Sequence, residues 1–208
     1  MQSVEFLFDF ASPNAYLAHK CLPAIAARTG AHFVYRPVLL GGLFKLTGNQ
    51  APMVAFSAIP NKLAYERLEM QRFIARHNLP FVMNPHFPIN TLLLMRMAIA
   101  AEMEDALAPF VEAAFHVMWE NPHKMDDPEI AVAALTKAGL NAAALLTRTQ
   151  DNEIKDRLAQ ATEAAARRGA FGIPSFFVGQ DLYFGKDRLR DIEDALLAAP
   201  PACPLPAA

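Results

Sequence analysis

The chain has 208 residues, is 53% hydrophobic and carries a formal net charge of −2. That length supports a well-buried core, in one domain or in a domain with a large insertion. The near-neutral balance and the lack of a basic block argue against nucleic-acid or anionic-membrane partners, and no apolar run reaches membrane-span length.

The N-terminus, Met-Gln-Ser-Val-Glu-Phe-Leu-Phe-Asp-Phe, lacks the basic start and small-residue cleavage site of a secretory signal. Cys21 and Cys203 lie far apart and form neither a Cys-x-x-Cys pair nor a metal-ligand cluster. A cytoplasmic location, a reducing environment and no bound metal are the expectations.

Residues 3–9 read as a buried strand, and a helical pattern runs over 13–29 with Gly30 as its stop. Between them, Asp9 ends the apolar run and Ser12-Pro13 follows. Ser is a preferred N-cap and Pro a preferred first helical residue, so the stretch reads as strand, tight turn and helix start. Residues 32–40 read as a second strand. Strand, helix and strand in so short a span suggest a βαβ unit with a parallel pair. After Gly41-Gly42 the segment is loop-rich or a short helix. A helix is predicted over 61–78, then a Pro-rich connection, then helices at about 91–104, 107–120, 128–138, 141–149 and 151–168. Strand signals return at 175–178 and 182–184, with Gly179-Gln180-Asp181 between them as in a hairpin. A helix over 187–198 precedes a Pro/Ala-rich tail.

The two ends cannot cover their own apolar faces separately, so they are expected to share one four-stranded sheet. The division that follows is an α/β domain of residues 1–41 and 169–199, an all-helical insertion of residues 42–168, and a flexible tail, 200–208.

Two features invite a chemical reading. Ser12 is an ordinary N-cap as readily as a ligand contact, although a helix N-terminus with a hydroxyl is also suited to an anion. It has no evident His–Asp partner, and its surroundings are not a Gly-x-Ser-x-Gly elbow, so a serine hydrolase is disfavoured. Pro174, in Gly172-Ile173-Pro174-Ser175-Phe176-Phe177-Val178, stands before a strand. Read alone it is a trans proline, since about one X–Pro bond in twenty is cis.

In combination these pieces resemble the thioredoxin superfamily, in the branch that holds periplasmic disulfide oxidoreductases and kappa-class glutathione transferases. Ser12 and Ala15 stand where the oxidoreductases carry two cysteines, and thiol–disulfide exchange requires a protein thiolate. Within that branch, Phe8–Ala18, Gly41–Pro52, Asn61–Phe73, Phe87–Arg96 and Gly172–Leu189 resemble the 2-hydroxychromene-2-carboxylate isomerases, along nearly the whole chain.

The resemblance implies glutathione as cofactor and a small aromatic carboxylate as substrate, and it is compatible with a homodimer. It implies that Ser12 faces the glutathione sulfur. Ile173 would pair its backbone with the cysteinyl part, Pro174 being cis. Phe184 and Gly185 would lead into Asp187 and Arg188, which would hold the γ-glutamyl end. Asn49 and Lys62 would meet the rest of the peptide. Lys45, Asn61, Phe87 and Trp119 would face the substrate, with Tyr65 undecided between core and site. Locally, the lysines read equally as surface charge and the aromatics as core. The implied reaction is reversible thiolate addition, which lets a blocked double bond rotate. A kappa-like transferase and a non-catalytic thioredoxin-like binding protein are the alternatives.

Overall fold

The computed structural model describes residues 2–198. The tail 200–208 and Cys203 lie outside them. The chain runs β1 (Ser3–Phe8), α1 (Pro13–Thr29), β2 (His32–Pro37), α2 (Leu40–Thr47), α3 (Pro52–Ala55), α4 (Pro60–His77), α5 (Leu92–Met103), α6 (Leu107–Trp119), α7 (Pro128–Lys137), α8 (Ala142–Arg148), α9 (Asn152–Arg167), β3 (Ser175–Val178) and β4 (Asp181–Phe184). A single 3-10 turn, Lys186–Arg188, leads into α10 (Leu189–Ala198).

The four strands form one sheet in the order β2-β1-β3-β4. β1 pairs parallel to β2, with Phe6 opposite Tyr35, and antiparallel to β3, with Phe6 opposite Phe176. β3 and β4 close the sheet as a hairpin. The fold is thus the expected α/β thioredoxin-like arrangement, with eight helices standing between β2 and β3 in chain order.

Alternation along the central strand sorts the two faces. Phe6 and Phe8 point to one side, where they meet Tyr35, Phe176, Phe10 and Phe115 at ring-centroid distances of 5.0–6.0 Å. Each of these large rings contributes about 1.5–3 kcal/mol by leaving water. Glu5 points to the other side, where it bonds Arg168 beyond α9 and Arg36 of β2. The buried side chains of sheet and helices form a single continuous cluster.

The second strand is shorter than its apolar run. It ends at Pro37, and Val38 N–H still reaches Phe8 O at 3.1 Å. The next two amides leave the sheet: Leu39 N–H donates to Thr162 Oγ1 and Leu40 N–H to Asp9 Oδ2, at 3.1 and 2.7 Å. Side chains from distant elements therefore start α2 two residues before Gly42. The short α3 had no signal in the sequence, because none of its residues is buried and no apolar period marks it.

Asp9 is fully buried at the end of β1. Its carboxylate accepts from Ala11 N–H, Leu40 N–H and the Thr91 hydroxyl, at 2.9, 2.7 and 2.6 Å. One side chain so fastens the β1–α1 turn, the start of α2 and the residue preceding α5. Burial pushes its carboxyl above the usual range, while the three donors favour the charged form. Asp9→Asn replaces an acceptor with a donor that must face an N–H or an O–H. It is expected to cost about 1–3 kcal/mol, read as a fall in Tm of several degrees by calorimetry.

A second polar tie joins α1, β2 and α6. His19 is buried, with Nδ1 2.7 Å from the Tyr35 hydroxyl and Nε2 2.9 Å from Glu112 Oε2, and Lys20 bonds the other Glu112 oxygen at 3.1 Å. The carboxylate can only accept, so His19 Nε2 carries a proton. The bonds from His19 and Lys20 hold the Glu112 carboxyl at about 2, below its ordinary 4.5. Its contribution is fully present above pH 4.5 and is lost as the pH falls through about 2. Glu112→Gln should flatten the fall of Tm across that window. The effect should stay near 1 kcal/mol, because the Glu112 side chain is 60% exposed.

Candidate active site

The site forms where the start of α1 meets the loop before β3. Ser12 is the N-cap of α1 with an extended backbone, and it is 5% exposed. Its Oγ accepts from Ala15 N–H at 3.1 Å, as a cap does. Its hydroxyl also donates to the carbonyl oxygen of Ile173 at 3.0 Å, across 161 residues of chain. A carbonyl only accepts, so the hydroxyl proton is directed at Ile173 and not at the place expected for a ligand sulfur.

The Ile173–Pro174 peptide bond is cis, and so is Phe87–Pro88, which the sequence did not signal. Pro174 O accepts from Gly185 N–H at 2.9 Å, so the hairpin end is fixed against the cis turn. Of the two backbone polar groups by which Ile173 was expected to pair with a ligand, one stands free. Its carbonyl is taken by Ser12, while its N–H has no acceptor among the described residues. The N–H of Asn14, in the first turn of α1, is likewise unpaired, and the buried Asn14 Oδ1 has no donor. Two donors and one acceptor are thus left at the junction.

Several predicted residues gather here. Asn49 Nδ2 donates to Phe171 O at 2.8 Å, which anchors the loop to the segment after α2. Phe184 lies against Phe171 with centroids 4.5 Å apart. Its ring also covers Gly172, where a Cβ would stand 2.8 Å from Phe184 Cε2. Gly185 takes φ +96°, a left-handed conformation that favours glycine, and turns the chain into Lys186–Arg188. The Asp187 side chain is 62% exposed and bonds Lys186 Nζ at 2.6 Å, while Arg188 pairs with Asp191 at 2.9 Å. Lys186 is buried to 4% exposure, its ammonium lying 4.8 Å from the Phe73 ring centroid of α4.

Among the described residues, no hydrogen bond or ion pair joins the other predicted residues to Ser12 or Ile173. Lys45 on α2 and Asn61 at the start of α4 are exposed. Lys62 is exposed too, its ammonium over the Phe56 ring at 3.5 Å. Tyr65 is 57% exposed, which places it outside the core. Trp119 is corrected outright as a pocket-lining residue. It is fully buried, donates from Nε1 to Phe10 O at 3.0 Å and stacks on Phe81. Phe87 is half-buried beside it, with centroids 5.8 Å apart.

Asp9, Asn14 and Lys186 are site-supporting residues that sequence reasoning missed. Asp9 carried a usable signal, a carboxylate closing an apolar run on a strand buried by both neighbours. The other two carried none. The turn offers no thiol of its own: Cys21 lies within α1, and burial pushes its thiol up to about 11. Asn49→Ala should release the 171–174 loop, read as faster amide exchange at Gly172 and Ile173, with less than about 1 kcal/mol lost in stability because the bond is exposed. Hydrogen exchange and thermal unfolding would separate the two effects.

Comparison with known proteins agrees with this geometry. The chain is 29% identical over 196 residues to a 2-hydroxychromene-2-carboxylate isomerase of Sphingobium xenophagum, covering 94% of this chain and 98% of that protein. It is 28% identical over 207 residues to glutathione S-transferase kappa 1 of Homo sapiens, covering 91% and 88%. A solved structure of 2-hydroxychromene-2-carboxylate isomerase superposes with a TM-score of 0.80 at 27% identity, over 93% of this chain and 94% of that one. Residues 3–197 match the DSBA-like thioredoxin domain family, and the chain belongs to it.

Proposed function

We propose that the chain is a glutathione-dependent isomerase that interconverts 2-hydroxychromene-2-carboxylate and trans-o-hydroxybenzylidenepyruvate, or a closely related aromatic pair. The observation that carries this reading is the junction of Ser12 with the cis Ile173–Pro174 loop, in a turn without cysteine. The full-length likeness to enzymes named as that isomerase gives the reaction class. Residues 42–168 serve in this proposal as a helical unit set over a thioredoxin-like unit of residues 1–41 and 169–199.

The residues suit glutathione on grounds internal to the structure. A peptide thiol needs backbone partners, and the unpaired Ile173 N–H supplies a donor. Its γ-glutamyl end is zwitterionic, and Asp187 and Arg188 present exposed groups of both signs. Lys62 stands on the inserted side for the remaining carboxylate, and Asn49 serves through the loop it holds.

When bound, glutathione would supply a thiolate nucleophile for reversible addition to the conjugated double bond. The chain's part is to make that thiolate available and to hold the substrate. Ser12 and the N-terminal amides of α1 favour the anion there. Each unit by which they lower the thiol pKa corresponds to about 1.4 kcal/mol of preferential anion binding. Lys45 holds the substrate carboxylate and stabilises charge developing toward the enolate. The exposed Leu46, Met53, Val54 and Ile59, on and beside α2 and α3, offer apolar surface to an aromatic ring.

Ser12→Ala removes one hydrogen bond to a charged group, about 1.5–3 kcal/mol. Turnover at saturating glutathione should fall roughly ten- to a hundredfold, while glutathione affinity changes less because both ends of the peptide stay held. An unchanged rate would reduce Ser12 to a helix cap and remove the mechanism.

A further inference from the structure

The Ser12 hydroxyl has one proton, and the structure commits it as a donor to the Ile173 carbonyl oxygen, 3.0 Å from Oγ. One of its lone pairs is occupied by Ala15 N–H. In this arrangement Ser12 has nothing to donate to a sulfur. If the hydroxyl turned away, the Ile173 carbonyl, on a residue 6% exposed, would lose its partner. A buried carbonyl left unpaired carries a large penalty. The turn is therefore neutral for the protein only if something else donates to that oxygen.

We infer that the site activates only those thiols that bring their own N–H donor to the Ile173 carbonyl, because that donor releases the Ser12 proton to the sulfur. This rests on the proposal that glutathione binds at Ser12 and deepens it by defining the class of thiol accepted. The carbonyl accepts a ligand N–H in place of Ser12, and the Ile173 N–H, unpaired in the structure, pairs with a ligand carbonyl. The Ser12 hydroxyl swings from Ile173 O to the sulfur, keeping its proton and its bond from Ala15 N–H. The thiol's own proton leaves to solvent, so charge and protons balance. Ser12 and Ile173, far apart in sequence, act as one specificity device. A cysteine-containing peptide has an amide N–H beside its thiol. Simple alkyl thiols do not, and they should be bound without being ionised.

The test compares glutathione with its ester isostere, in which oxygen replaces the cysteinyl amide N–H. The dissociation constant of each is measured by calorimetry below and above the thiol pKa, and corrected by the matching S-methyl ether, which has no thiol to titrate. The ratio of the two constants reads the pKa shift on binding and is unaffected by uniformly weaker affinity. The expected ratio for wild type is at least about tenfold larger for glutathione than for the ester, and in Ser12→Ala the two ratios become equal. Equal ratios for both ligands in the wild type would overturn the inference while leaving the proposed function intact. Failure of glutathione to bind at either pH would overturn the proposed function itself.

Discussion

The hydrogen bond from Ser12 to the Ile173 carbonyl is the constraint on which the site depends. It joins the first turn after β1 to the last loop before β3, and these belong to opposite ends of the chain. The sheet brings the two within reach because β1 lies between β2 and β3, with Leu7 opposite Ser175. The cis bond at Pro174 and the Gly185–Pro174 contact then hold the Ile173 backbone against the cap. A serine can fill this place where a cysteine fills it in oxidoreductases, since a hydroxyl can cap a helix and satisfy a carbonyl but cannot exchange disulfides.

Behind that contact stands the buried Asp9 carboxylate. It holds the turn that carries Ser12, and through Leu40 and Thr91 it holds the first residue of α2 and the residue preceding α5. The helical segment that carries Lys45 and Asn49 is thus placed by a side chain of the central strand. Positioning the site and holding the helices against the sheet are one electrostatic arrangement, sealed from water and backed by the aromatic face of β1.

Much of this was legible in the sequence, and the parts that were not have physical reasons. The strands and long helices announced themselves by apolar period and by caps: Ser12, Gly30 and Asp127 mark boundaries that the structure reproduces. The second strand was overread to residue 40 because Val38, Leu39 and Leu40 are apolar, although tertiary partners take the amides of Leu39 and Leu40. Trp119 was given a place facing the substrate by resemblance, against its local reading as core; its bond to Phe10 O makes it a core tie. Lys186 is the converse case, a charged residue with no local mark of burial that is found buried beside α4. Asn49 was expected to meet a ligand and is found holding Phe171 O, so its link to the site runs through the loop.

The central claim is that glutathione acts here as a returned cofactor. The most direct measurement is the product formed from 2-hydroxychromene-2-carboxylate with and without glutathione, with the free thiol counted at the end. The account predicts that catalytic amounts of glutathione greatly accelerate formation of the trans keto acid and that all of the thiol is recovered. A glutathione conjugate formed in proportion to substrate consumed, or an equal enzymatic rate with no glutathione present, would contradict it.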